Sequence, residues 1–270
     1  MQEEINIPVI LDAVKKAGKV FLKKYKKKAI PQTFKALLKQ LDDIDSVCMA
    51  SLKADLADAF PNTPWFVGDE FDTNAQRNPA NEAEYWLCDA MDGAIQYIQH
   101  ISGWSINLVL IRHGQPYFSV IYDPLAKEMF WAKEGAGAFM NGKVLKPSKK
   151  TDSRHTLAVF EYGHQDKSTN NLNQKIGNSL THLLENFGVV RNYGPHGLQL
   201  AYVGAGRIDL FHQEDLDTFN WLAGILIAKE AGAKILTTDG QPWKWGDESL
   251  MVAAPNIGET FLNRIQINKI

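Results

Sequence analysis

The chain has 270 residues, 45% of them hydrophobic, which is enough to bury a large core as one or two domains. A formal net charge of −2 gives no electrostatic argument for nucleic acid as a partner. No apolar run is long enough to span a bilayer and the N-terminus lacks a secretory apolar segment, so neither a membrane nor export is expected. With only Cys48 and Cys88, the expectation is a reducing, cytoplasmic compartment rather than a disulfide scaffold.

Taken in order, the spacing of Val9, Ile10, Ala13, Val14, Ala17, Val20, Phe21 and Tyr25 predicts a helix over Ile7–Tyr25. Lys15, Lys16, Lys19, Lys23, Lys24, Lys26, Lys27 and Lys28 make this region basic, which reads as a solvated helix face rather than a polyanion contact. After Pro31 a second helix is expected over Ile44–Phe60, with Asp45 near its start, where the helix dipole favours an acid. Trp65–Val67 reads as a short strand, Phe71–Glu84 as a polar loop, and Tyr85–Cys88 as a buried strand. Ile106–Ile111 and Tyr117–Tyr122 flank a glycine-containing turn and predict a hairpin, followed by a strand at Glu128–Ala132 and an Asn141-Gly142 turn.

Lys146–Arg154 is polar and is expected to cross between an N-terminal half, 1–148, and a C-terminal half, 149–270. Beyond it come a strand at Thr156–Glu161, helices over Asn171–Phe187 and Gly197–Val203, and a strand at Ile208–Phe211. An apolar helix over Phe219–Ala231 is stopped by Gly232, and strands at Lys234–Thr237 and Leu250–Ala254 precede a last helix near Ile257–Ile265. The first half therefore reads as α+β and the second as α/β.

The chemistry-bearing stretch is Asp89-Ala90-Met91-Asp92-Gly93-Ala94. A buried strand ending in two aspartates three positions apart holds two carboxylates at its mouth, which is costly unless a cation lies between them. Gly68-Asp69-Glu70 follows another short apolar run and brings more acid. Several carboxylates converging on one point suit Mg²⁺, a hard ion that takes oxygen ligands and keeps exchangeable waters. Gly93 lets the backbone approach an oxyanion closely. A plain turn at Asp92-Gly93 with Asp89 as a cap is the alternative reading of the same residues.

These residues resemble the signature of the inositol monophosphatase family of Mg-dependent, lithium-sensitive phosphatases, Gly-Glu-Glu followed by an apolar strand and Asp-Pro-Ile-Asp-Gly-Thr. The segment Gly135-Ala136-Gly137-Ala138-Phe139-Met140-Asn141-Gly142 is similar to the family's Gly-x-Gly-Ala-Phe-x-Asn-Gly. Phe219-Asn220-Trp221, running on to Glu230-Ala231-Gly232, resembles its Trp-Asp helix. The resemblance implies a layered αβαβα sandwich of the α+β class and a Mg²⁺-dependent phosphomonoesterase acting on an inositol phosphate, a sugar phosphate or another small phosphorylated metabolite. It implies metal ligation by Asp69, Asp89, the Met91 carbonyl, Asp92 and the Asn220 position. Asp69, Glu70 and Asp45 fall to water activation, and Gly93, Ala94, His196 and Gln213 to substrate binding. It also implies a homodimer, which no residue pattern specifies.

Three departures stand out. Asn220 replaces a metal-binding Asp, Ala94 a Thr whose hydroxyl positions water, and Gln213 an acid assigned to substrate hydroxyls. Asp69 is also one methylene shorter than the family's Glu. Glu214, Asp215 and Asp217 are nearby acids able to substitute, or simply caps and solvated acids. Arg191, Arg207 and His212 are weaker anion-binding candidates. The departures keep open a catalytically impaired member that binds a phosphorylated ligand or partner, or a 3′-phosphate nucleotidase.

Overall fold

A computed structural model describes residues 5–68, 72–163 and 171–267, and side chains throughout these except at 42, 44–48 and 262–267. Two helices come first: α1 (Ile7–Lys24), opened by Asn6 accepting from the Val9 amide, and α2 (Phe34–Leu56), opened by Thr33 accepting from the Ala36 amide. The second helix begins ten residues before the expected Ile44. Trp65 forms an isolated parallel bridge to Trp86 rather than an extended strand, and α3 (Thr73–Gln76) breaks the polar loop.

Six strands then form an antiparallel sheet in sequence order: β1 (Glu84–Asp92), β2 (Ser105–Arg112), β3 (Gln115–Asp123), β4 (Glu128–Lys133), β5 (Gly137–Met140) and β6 (Lys143–Val144). One short helix, α4 (Ala94–Ile98), lies between β1 and β2. Asn141 and Gly142 both have positive φ, 48° and 81°, as a two-residue hairpin of the primed type requires. A second sheet has the order β10-β11-β9-β7-β8, formed by β7 (Leu157–Glu161), β8 (Val189–Arg191), β9 (Leu210–Gln213), β10 (Lys234–Leu236) and β11 (Leu250–Ala253). β7 pairs in parallel with both β8 and β9, whereas β11 runs antiparallel to β9 and β10. The remaining helices are α5 (Leu172–Asn186), α6 (His196–Gly204), α7 (Thr218–Ala231) and α8 (Pro255–Ile267).

The side-chain periods explain the layering. In β1, Trp86 and Ala90 point to a core shared with α1 and α2, while Tyr85 and Leu87 point to the opposite core. That second core takes Leu198 and Ala201 from α6 and Leu222, Leu226 and Ile227 from α7. Trp221, Ile225 and Ala228, on the other side of α7, pack with Val159, Phe211 and Val252 of the second sheet. Helix α7 is apolar all round because it lies between two sheets. Beyond the second sheet, Leu183, Phe187 and Phe261 of the α5 and α8 regions cover its far face. The order α1/α2, sheet, α6/α7, sheet, α5/α8 is the expected αβαβα sandwich. Among the described residues no helix is long and apolar enough to cross a membrane.

Candidate active site

The two sheets and the start of α6 meet where β1 ends. Between Asp89 and Asp92 the register against β2 shifts, because Asp89 Oδ1 accepts from the Met91 amide at 3.0 Å and folds the chain locally. Asp92 comes to lie over β2. Its Oδ2 accepts from Asn107 Nδ2 at 2.7 Å and from the Gly197 amide at 2.8 Å. Ser105 donates to Asn107 Oδ1 at 2.9 Å, which turns the Asn107 amide so that its NH₂ meets the carboxylate. Asp92 Oδ1 accepts no hydrogen bond among the described residues. Burial raises the Asp92 pKa, opposed by His196, Asn107 and Gly197, with Asp217 adding to the rise. A buried carboxylate with one uncommitted oxygen is the electrostatic condition that a cation would relieve.

Gly93 caps α4 at φ 88°, and a Cβ there would lie 2.8 Å from the Gly103 carbonyl oxygen, so glycine is required on both counts. Ala94 follows as the first residue of α4. The Met91 side chain is buried in the core beneath β1, so only its backbone is placed for chemistry.

His196 opens α6 and is largely buried, with 13% of its side chain exposed. Its Nε2 lies 3.4 Å from Asp217 Oδ2 but outside hydrogen-bonding geometry. Burial disfavours its charge, yet Asp217, Asp92, Glu161 and Asp215 together raise its pKa above the ordinary imidazole value. Asp217 Oδ1 accepts from Asn220 Nδ2 at 2.8 Å, and its Oδ2 from Gln213 Nε2 at 3.3 Å. Gln213 is fully buried; its Oε1 accepts from Trp221 Nε1 at 2.8 Å and its Nε2 also reaches Asp215 Oδ1 at 3.4 Å. Asp215 Oδ2 takes the Gly163 amide at 2.7 Å. Both ends of the Gln213 amide are thus committed inside the protein.

The loop that presents His196 is held from β7. Glu161 Oε1 accepts from the Gly194 amide at 2.8 Å and from Gln199 Nε2 at 2.6 Å, and Glu161 Oε2 from Asn192 Nδ2 at 2.9 Å. Sequence reasoning passed over both Asn107 and Glu161. Their available signal was a lone polar residue within, or closing, an otherwise apolar strand.

Asp89, the Met91 backbone, Asp92, Gly93 and Ala94 are therefore gathered at one strand end, with His196 close enough for its charge to act on Asp92, and with Asp217 beside His196, Gln213 and Asn220. Asp69 and Glu70 lie outside the described residues; Asp45 falls within α2, but its side chain also lies outside them. Among the described residues no three acids, histidines or cysteines are grouped as a metal cluster. Glu214 is instead held by Lys175, Ser179 and Thr238, Arg207 forms a two-pronged pair with Glu128, and Arg191 Nη1 donates to the Val190 carbonyl. His212 is buried 3.5 Å from Glu214.

The model of the inositol monophosphatase family matches residues 3–269. The chain belongs to this family. The inositol-1-monophosphatase of Rhizobium meliloti is 28% identical over 89% of the chain and 88% of its own length. The Nus factor SuhB of Pasteurella multocida is 26% identical over 98% and 97%. Among solved structures, the inositol monophosphatase of Anabaena superposes with a TM-score of 0.77 at 21% identity, covering 97% of this chain and 95% of that one. Asn220, near the start of α7, has its NH₂ turned onto Asp217.

Gly197 offers a local test. A Cβ there would lie 2.4 Å from Asn107 Nδ2 and 3.0 Å from Asp92 Oδ2. Gly197→Ala is expected to push Asp92 from its seat and lower phosphatase turnover by roughly 10–100-fold, at a stability cost of about 1–3 kcal/mol. Steady-state turnover beside a urea midpoint checks this; unchanged turnover would mean that the seat of Asp92 is immaterial.

Proposed function

We propose that the chain hydrolyses small phosphate monoesters with the aid of Mg²⁺. The observation that carries this is the Asp89-x-x-Asp92-Gly93 strand end, where a buried aspartate has one oxygen uncommitted among the described residues, beside a glycine-led turn. The donors fit a hard cation: Asp89, Asp92 and the Met91 carbonyl would hold it, with Asp69 and Glu70 completing the set. When bound, Mg²⁺ supplies polarisation of the phosphoryl oxygens and a more acidic bound water. The protein's own part is to fix those ligands through Asn107 and Gly197 and to offer the Gly93 and Ala94 amides to phosphate oxygens. Asp69 or Glu70, with Asp45, takes the proton of the attacking water. His196 is assigned to the substrate side; burial disfavours its charge, and the carboxylates around it raise its pKa above the ordinary imidazole value.

The substrate is an inositol phosphate, a sugar phosphate or another small phosphorylated metabolite. A hydrolysis screen over such esters, with Mg²⁺ titrated to high concentration, tests the reading directly; no metal-dependent release of phosphate from any of them would sink it. With Asn220 lacking a charge, the second cation is expected to bind weakly. Asn220→Asp combined with Ala94→Thr should raise turnover at limiting Mg²⁺ by roughly tenfold or more, and an unchanged Mg²⁺ dependence would count against these roles.

One observation favours a second reading. Gln213 is fully buried, and both it and Asn220 donate an amide N–H to Asp217. A member so arranged would bind a phosphorylated ligand or a protein partner with little turnover, and relatives named Nus factor SuhB make a partner role a concrete alternative. Saturable binding of phosphate esters without hydrolysis would select it.

A further inference from the structure

At the far end of α4 from Gly93, a cavity of about 480 Å³ opens between the end of α1, the first half of α2 and α4. Among the described residues it shares no lining residue with the site above. Among the described residues four lysines line it, Lys24, Lys26, Lys27 and Lys28, against one aspartate, Asp43. Lys28 is neutralised, its Nζ 2.7 Å from Asp43 Oδ2. Lys24 and Lys27 form no ion pair among the described residues, and Lys26 Nζ rests 5.1 Å from the Tyr25 ring centroid. Among the described residues the lining therefore carries surplus positive charge, with Asp43 its acidic member.

The floor is of different character. Phe21, Tyr97 and Ile98 line it, and Tyr97 is clamped edge-on between Phe21 and Trp104, with centroids 5.9 and 5.0 Å away. The Tyr97 hydroxyl donates to the Phe21 carbonyl at 3.0 Å, so its polar end is spent and only ring surface is left to line the floor. The walls are tied together: His100 Nε2 sits 3.0 Å from the Lys28 carbonyl, and the Tyr25 hydroxyl donates to the Ile101 carbonyl at 2.9 Å. Lys26 and His100, one on each wall, hold left-handed backbone at φ 60° and 62°. That conformation is unfavourable for residues with side chains and persists only where the surroundings enforce it.

A concave site of this volume, with a rigid aromatic floor and a lysine-rich rim, has the makings of a small-molecule pocket rather than an extended polyanion track. We propose that it binds a phosphorylated small molecule with a flat apolar body, of the nucleoside diphosphate class. The body would rest on Tyr97 and the phosphates would reach Lys24 and Lys27. The site is independent of the phosphatase reading.

The test is calorimetric titration of the full chain, metal-free and at low salt, with ADP, pyrophosphate and adenosine. ADP should bind more tightly than either fragment. Lys24→Gln with Lys27→Gln, both exposed positions, should weaken ADP by roughly tenfold or more, while Asp92→Asn should leave it unchanged. Four results would overturn the proposal. These are no ADP binding, ADP binding indifferent to the two lysines, pyrophosphate binding as tightly as ADP, or lysine-dependent binding of single-stranded RNA in place of ADP.

Discussion

Asp92→Asn is expected to lower phosphatase turnover by about 10³-fold while leaving the metal-free protein as stable as before or more so. The two effects have one origin. The Asp92 carboxylate is desolvated, and its pKa is raised because burial outweighs the help of His196, Asn107 and Gly197. A folded-state pKa above the unfolded one means that the native protein holds this proton more tightly. Stability contributed by the protonated form is then complete at low pH and is lost as pH rises from the ordinary carboxylate value through the raised one. At neutral pH, without metal, the charge is a net cost. An amide can still accept from Asn107 and Gly197 through its oxygen, and it carries no charge to desolvate. Urea midpoints across the acid range, with and without Mg²⁺, check this. Wild type should lose stability with rising pH over that window in chelator and recover it on adding Mg²⁺, whereas Asp92→Asn should do neither. His196 contributes the same sign of slope in a higher window, because its pKa is raised above 6.5. A substitution that cost stability equally with and without metal would show Asp92 to be a structural anchor rather than a ligand held in strain for function.

The features most legible in the sequence were those that repeat a period or end it sharply. The β2–β3 hairpin, the apolar α7 and the Asp-x-x-Asp-Gly strand end all emerge because burial forces the pattern. The start of α2 did not. Phe34 and Leu38 are 74% and 45% exposed, so the apolar residues of its first turns do not point to the core, and a core-facing period begins only further along. Strand β8 is three residues long and α4 five, too short for any periodicity. Within the site, residue identity suggested chemistry but not orientation. Gln213 was expected to face substrate from the resemblance alone; it is fully buried, with its Oε1 accepting from Trp221 Nε1. Asp217 read more readily as a cap or a solvated acid than as a site residue. It caps no backbone group by its side chain and instead joins Asn220, Gln213 and His196, a role set by three separate elements and invisible to any local window.

The largest expected stability loss lies away from the chemistry, at Lys150. Its ammonium meets Asp209 Oδ2 at 2.8 Å; the Asp209 side chain is fully buried, whereas 42% of Lys150 is exposed. The same Oδ2 accepts from the Leu157 amide at 2.8 Å, so the pair pins the connector after β6 to the first residue of β7. Because burial is one-sided, the two single substitutions should differ. Lys150→Met leaves a fully buried carboxylate without its counter-charge and is expected to cost about 3–5 kcal/mol. Asp209→Asn keeps an acceptor for Leu157 and releases the lysine to water, so about 1–3 kcal/mol is expected. The double variant then carries no stranded charge and should be more stable than Lys150→Met alone, a sign that simple loss of contacts cannot produce. Denaturant midpoints of the four proteins measure this. If the double variant proves the least stable, the pair is an ordinary surface contact and β7, with Glu161 at its other end, owes its placement to packing alone.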